Sequence, residues 1–245
     1  MSEFSAKNLY AYEWEDDFPQ GFGHTSISYL KRCEGYHAAK NGDIDAAMRV
    51  VERCVKTDRI DAVREQFPNT VLLPVISQNM IPLALAMYIG LPVHEGVRRV
   101  DTQKRRELPA ILRLMYKPKF SGRIIRGVSY IIVDDVITQG GTVASLRHYV
   151  LKRGGTVLAV IALAFAIGSR AITPIRANIL RILLNFNIVA LINTLATYGI
   201  CSDIRQLTNS QVRYILRFRG IHTLEIKLAK FGQLQKATKN YEIAG

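Results

Sequence analysis

Residues Gly127 to Thr142 read G-V-S-Y-I-I-V-D-D-V-I-T-Q-G-G-T, and this stretch decides the fold. Val128, Tyr130, Ile131, Ile132 and Val133 form a nearly unbroken β-branched and aromatic run, the pattern of a strand buried on both faces of a parallel sheet. Asp134 and Asp135 are too polar to extend that run, so they are expected to emerge at the carboxyl edge of the sheet, where open α/β folds bind ligands. Gly140 and Gly141 allow a tight turn. Thr142 is expected to cap a helix with Val143, Leu146, Val150 and Leu151 on its apolar face. Gly154 and Gly155 stop that helix after Lys152 and Arg153, and Thr156–Leu163 is a second buried run. The order is therefore strand, acid pair, glycine loop, helix, strand.

This order has a chemical consequence. Successive backbone N–H groups opening onto a helix N-terminus form a nest for an anion, and the hydroxyls of Thr138 and Thr142 add donors, so a phosphate monoester fits. Ionised carboxylates repel phosphate but accept hydrogen bonds from vicinal hydroxyls. A ribose carrying a phosphate at one end satisfies both.

An apolar strand, two acids and a loop rich in threonine and glycine, here V-D-D-V-I-T-Q-G-G-T at 133–142, resemble the type I phosphoribosyltransferases. The resemblance implies an α/β fold with a central parallel sheet flanked by helices, here with helical N-terminal and C-terminal extensions. It also implies a reaction: transfer of 5-phosphoribose from phosphoribosyl diphosphate to a nitrogen acceptor such as a nucleobase, as in nucleobase salvage and nucleotide metabolism, with release of pyrophosphate. Asp134 and Asp135 would hold the ribose hydroxyls, and Thr138, Gln139, Gly140, Gly141 and Thr142 would grip the 5-phosphate. Gln139 puts an amide donor where members commonly carry a small residue. Thr138 stands where the hypoxanthine and guanine enzymes carry an aspartate, which brings the chain nearer to the adenine and orotate branches. The implied cofactor is Mg²⁺, carried by the diphosphate, with Asp134 as its nearest protein candidate and no ligand directly assigned.

The same family binds pyrophosphate in the loop after the first core strand. Thr70–Ile76 is that strand by pattern, with Pro74 marking a bulge or an end. Ser77, Gln78 and Asn79 follow it and lead into a helix from Ile81 to Ile89; the alternative is an ordinary βα turn. Leu91–Val97 reads as a further short strand. Val100–Arg126 is long and basic and is not expected to be core. In the family a loop here closes over the diphosphate, which makes 101–123 an expected lid and Lys104, Arg105 and Arg106 the expected cations on the leaving group. The alternative is a solvated basic face or a nucleic-acid contact.

Outside this region, 1–69 is expected as an arm and a helical extension, 70–170 as the core with its lid, and 171–245 as a helical accessory region with a basic tail. The arm is acidic and aromatic, and the G-F-G at 21–23 reads as a turn. Thr25–Lys40 patterns as one helix with Ile27, Leu30, Cys33 and His37 inward; Asp43 caps a helix to about Thr57, and Asp61–Phe67 is a short one. Ala171–Leu184 and Ile188–Thr197 are expected helices, the first with Pro174 in its opening turn. Thr208–Phe218 is expected as the final helix, and the tail from Ile221 shows little regularity.

The 245 residues can bury a substantial core, and the net charge of +13 attracts polyanions: a diphosphate, a nucleic acid or an anionic surface. Cys33, Cys54 and Cys201 have no C-x-x-C spacing, which suits free thiols in a reducing, cytoplasmic setting. His24, His37, His94, His148 and His222 show no metal spacing. No segment reads as a signal peptide or a membrane span; the apolar stretch 179–195 is interrupted by Arg181, Asn185, Asn187 and Asn193. The expected partners are phosphoribosyl diphosphate and a nucleobase-like acceptor, without a membrane; a homodimer and nucleic acid stay open. A second reading keeps the phosphoribosyl site as a sensor in a regulator of RNA or DNA.

Overall fold

The computed structural model describes residues 24–101, 108–166 and 174–243. They form two compact units: 24–101 with 118–166, and 108–117 with 174–243. This division differs from the boundaries expected from the sequence, because residues 24–69 belong with the sheet and 108–117 with the C-terminal helices.

The first unit is built on β4 (Ser129–Ile137). It lies parallel to and between β1 (Val71–Pro74) and β5 (Thr156–Phe165), giving the order β1-β4-β5. Paired on both sides, β4 has every residue from Tyr130 to Ile137 buried. Side chains alternate across the sheet, so Ile131 and Val133 join one core with Leu72, Ala159, Ile161 and Leu163. Tyr130 and Ile132 join the other with Leu73, Val160 and Ala162. The first core is covered by α1 (Ile27–Arg32), α2 (Tyr36–Lys40), α3 (Ile44–Cys54), α4 (Thr57–Gln66) and α5 (Ile81–Ile89). The second is covered by α7 (Gly141–Leu151), through Val143, Leu146 and Val150, whereas Leu151 is exposed. The chain is thus an α/β unit with a parallel sheet flanked by helices.

Several elements differ from the expectation. The helix over Thr25–Lys40 is two helices, because Gly35 between them has φ of +84° and its position faces the Cβ of Ala46. Tyr36 and Ala39 face inward in consequence, and His37 is exposed. Asp43 caps α3 as expected, accepting from the Ala46 N–H at 2.8 Å. Pro74 ends β1, as a residue without an N–H must. The expected strand Leu91–Val97 shrinks to a bridge at Val93, since Pro92 lacks a donor. The ladder begins instead at β2 (Val97–Arg99), antiparallel to β3 (Phe120–Gly122) in a separate two-stranded sheet. Gly122 allows this pairing: a Cβ there would lie 1.8 Å from the Gly96 carbonyl oxygen.

The second unit is a helical cluster. It contains α6 (Ala110–Met115), α8 (Arg176–Asn185), α9 (Ile188–Thr197), a 3₁₀ turn at Ile204–Gln206, α10 (Asn209–Ile215) and α11 (Ile221–Ile243). Ile111 and Leu114 of α6 are buried among Ile179, Ile182, Leu191, Leu195, Val212, Ile215 and Leu224. The basic 101–123 segment therefore carries core residues after all, spaced three apart on one helix face. Pro174 precedes α8 instead of entering its first turn, and the tail from Ile221 is helical. The Thr208 hydroxyl and the Gln211 side chain form a reciprocal capping box at the start of α10. No single described helix is long and apolar enough to cross a membrane; α8 and α9 pass that test only together, and they meet at 98°.

Candidate functional site at the end of the central strand

β1 stops at Pro74, opposite Val133, so beyond that point β4 keeps a strand neighbour on the β5 side only. Asp134 and Asp135 sit at this step. They do not end the strand, as expected, but lie within it, and Val136 and Ile137 continue the ladder against Ala164 and Phe165. Both acids are buried, at 8% and 5% exposure, although buried carboxylates ordinarily need partners.

Their partners differ. Asp135 accepts an ion-paired hydrogen bond from the Lys40 ammonium at 2.7 Å. Lys40 is the last residue of α2, and it is only partly exposed. Asp134 accepts from the Asp135 backbone N–H at 2.9 Å through Oδ1. Burial, then the charge of Asp135, push the Asp134 carboxyl well above the usual carboxylate range, so its protonated form is favoured. The pair thus combines one acid whose ionisation burial disfavours and one carboxylate held by a lysine. Lys40 was missed from the sequence. No spacing rule links the end of a short helix to a strand so far along the chain.

The glycine loop follows directly. Thr138 is exposed and Gln139 half-buried. Gly140 takes the left-handed conformation with φ of +70°, which starts α7 at Gly141. Thr142 is consequently inside the helix and is not its cap; no side chain caps α7. The first N–H groups of this eleven-residue helix, which lack intrahelical partners, therefore face the loop together with the dipole's positive end.

The loop after β1 is arranged otherwise. The Asn79 N–H donates to the Ser77 hydroxyl at 3.2 Å, and the Asn79 side-chain oxygen accepts from the Ile81 N–H at 3.2 Å. Met80 N–H donates to the Ala39 carbonyl at 2.9 Å, which ties the loop to α2. Ser77 and Asn79 thus satisfy their own helix start, and Gln78 between them is exposed. Lys104, Arg105 and Arg106 lie outside the described residues.

A metal would find a poor donor set here. Burial and the charge of Asp135 disfavour ionisation of Asp134, Asp135 is paired with Lys40, and the described residues contain no cluster of three metal-ligating side chains.

No family model matches the chain. It is 33% identical over 154 residues to protein TraN of Escherichia coli, covering 58% of this chain and 34% of that protein. It is 32% identical over 151 residues to an uncharacterised protein of Haemophilus influenzae, covering 57% and 34%. The chain thus spans about a third of the length of the curated relatives it matches. Similar solved structures include adenine phosphoribosyltransferase from Saccharomyces cerevisiae, at 18% identity and a TM-score of 0.34, covering 51% of this chain and 71% of that one. Orotate phosphoribosyltransferase from Aeropyrum pernix has 17% identity and a TM-score of 0.34, covering 60% and 68%. UMP synthase of Leishmania donovani has 14% identity and a TM-score of 0.32, covering 69% and 32%.

Proposed function

We propose that the chain binds phosphoribosyl diphosphate at the end of β4 and transfers its 5-phosphoribosyl group to a nitrogen acceptor of the nucleobase kind, releasing pyrophosphate. The observation that carries the reading is the sequence of groups along one sheet edge. Two buried acids on the central strand are followed, across the exposed Thr138, by a left-handed Gly140 and an uncapped helix N-terminus. The N–H groups suit a phosphate, and the acids suit vicinal hydroxyls.

The residues divide the work. Backbone N–H groups at 140–142 and the Thr138 and Thr142 hydroxyls hold the 5-phosphate. Asp135 accepts from a ribose hydroxyl when Lys40 shares or releases its carboxylate, and a neutral Asp134 donates to the neighbouring hydroxyl oxygen. Negative charge at Asp135 favours the oxocarbenium character that develops at the ribose as the bond to diphosphate breaks. Lys104, Arg105 and Arg106 are the proposed cations for the departing diphosphate, with Ser77, Gln78 and Asn79 on the other side. Mg²⁺ belongs to the proposal as a counter-ion brought by the diphosphate oxygens.

Calorimetric titration with phosphoribosyl diphosphate and Mg²⁺, followed by a pyrophosphate-release assay with each nucleobase, tests this. Saturable binding and release with one acceptor are expected. Binding that is absent, or that a ribose-free pyrophosphate matches in affinity, overturns it.

One observation favours a second reading. Asp135 is already neutralised by Lys40, which suits a site that registers the ligand more than one that turns it over. In that reading the chain is a regulator that senses phosphoribosyl diphosphate and binds RNA or DNA through its excess of lysine and arginine. It requires that the diphosphate change nucleic-acid affinity severalfold, and reciprocally.

A further inference from the structure

The three cysteines are distant in sequence, yet the fold brings two of them into contact. The Sγ atoms of Cys33 and Cys54 are 3.4 Å apart, within the first unit. Cys54 is the last residue of α3 and is buried at 4% exposure. Cys33 closes α1 with extended backbone, at φ −60° and ψ 132°, and is partly exposed. Its thiol also reaches the Tyr29 carbonyl at 3.6 Å. Cys201 is buried in the helical unit, where there is no other cysteine to pair with it.

We propose that Cys33 and Cys54 are a dithiol modification site, which closes to an intramolecular disulfide by exchange with a small-molecule disulfide. A disulfide needs its sulfurs about 2.05 Å apart and its Cβ atoms about 3.8 Å apart. The two sulfurs, at 3.4 Å, are already in contact and must close by roughly 1 Å or a little more. Cys33 can supply this movement, because the residues at 33–35 belong to the irregular turn between α1 and α2, not to a helix.

The step is balanced by the oxidant's own sulfurs. The Cys33 thiolate attacks one sulfur of the small disulfide, whose S–S bond breaks and releases one thiol. The Cys54 thiolate then attacks the Cys33 sulfur, and the mixed disulfide breaks and releases the second thiol. Two protein thiols become one disulfide, one small disulfide becomes two thiols, and the two protons end on the released thiols. The order follows from access: Cys33 is the sulfur solvent reaches, and Cys54 lies behind it. In the dithiol, burial and then the neighbouring Cys33 push the Cys54 thiol up to about 12; burial persists in the mixed disulfide and keeps Cys54 a poor thiolate, so ring closure is the slow step at neutral pH and accelerates as pH rises.

The closed ring spans residues 33–54 and contains α2 with Lys40, and the Asp43 cap of α3. It would restrict the unfolded chain more than the folded one and so raise thermal stability. The inference is independent of the proposed function, since neither sulfur takes part in the site at β4.

Reduced protein is incubated with oxidised glutathione at pH 7 and pH 9, quenched with acid, and analysed by intact mass and by peptide mapping without reduction, alongside thermal melts. The expected result is a protein two hydrogens lighter with a Cys33–Cys54 cross-link and free Cys201. Closure is expected to be at least tenfold faster at pH 9, and Tm to rise on the order of 5 °C. Cys54→Ser should stop at a glutathione adduct on Cys33, and Cys33→Ser should stay unmodified. A wild-type chain that keeps a stable glutathione adduct on Cys33 at pH 9, or forms no Cys33–Cys54 cross-link, overturns the proposal.

Discussion

The two units bury polar groups in opposite ways. In the helical unit the fully buried polar side chains are amides and hydroxyls with hydrogen-bond partners: Asn209 accepts from Asn178 at 2.7 Å and from the Ile175 N–H at 3.3 Å, and Thr208 caps α10. Thr194 donates to Glu225 at 2.8 Å. In the α/β unit the buried polar residues include Asp134, Asp135 and His24, all titratable and two with displaced proton affinities. Neutral pairs specify a fold at little cost, whereas buried ionisable groups usually cost stability. That cost is concentrated at the end of the central strand, which makes this end, and not the more basic helical unit, the place to look for chemistry.

The largest effect is expected where a charge would lose its partner. Lys40→Ala leaves Asp135 buried without a cation and should destabilise the protein by about 2–3 kcal/mol, a discounted value because Lys40 is partly solvated. Adding Asp135→Asn should recover much of the loss. Chemical denaturation of the two single variants and the double variant measures the coupling. Additive losses would mean that the pair contributes nothing as a pair.

The helical unit should answer differently. Asn209→Ala strands the Asn178 amide and the Ile175 N–H and should cost about 2 kcal/mol, with the same value at pH 5 and pH 8. A pH-dependent loss there would erase the contrast between the units.

His24 supplies the acid arm. Its Nδ1 accepts from the Lys56 N–H at 3.2 Å, and its Nε2 has no hydrogen-bond partner among the described residues. Burial, then Arg59, lowers its pKa from 6.5 to about 4. The unfolded chain therefore binds a proton between those values that the folded chain does not, and stability falls as pH drops from 6.5 to 4. The loss should be on the order of 2 kcal/mol, and His24→Gln should flatten it. Melting curves at intervals across that window measure both.

Asp134 has the opposite sign. Its folded pKa is raised, so above the ordinary aspartate value of 3.8 the folded state holds a proton that the unfolded state releases. Stability then falls as pH rises from that value toward the raised one. Asp134→Asn keeps an acceptor for the Asp135 N–H and cannot ionise, so its melting temperature should gain on wild type as pH rises above 3.8. A constant difference would mean that Asp134 ionises normally.

Much of this was legible in the sequence because it was local. The run from Val128 to Val133 reads as a buried strand, and Pro74, Gly140 and the Asp43 cap of α3 each act within a few residues of themselves. What escaped depends on contacts between distant segments. Lys40 on Asp135, Cys33 against Cys54, and Ile111 and Leu114 joining the C-terminal helices have no periodicity that announces them. The acid pair was legible as residues but not in its setting: whether it emerges from the sheet or stays buried depends on β1 ending at Pro74 and on α2 delivering a lysine. In the loop, Thr142 was misread as a cap because Gly140, which has no side chain to announce a helix start, begins the turn two residues earlier.

In the proposed function, the end of β4 recognises a phosphoribosyl group through Asp135 and the loop together. Titration calorimetry of phosphoribosyl diphosphate with Mg²⁺ tests it most directly, on wild type, Asp135→Asn, and Gly140→Ala, which strains the left-handed turn. The account predicts saturable binding by wild type, and a loss of about 1.5–3 kcal/mol, roughly ten- to a hundredfold, in Asp135→Asn. Ribose 5-phosphate should compete, and Gly140→Ala should weaken both ligands. Equal affinity in wild type and both variants, or competition by pyrophosphate but not by ribose 5-phosphate, would contradict it.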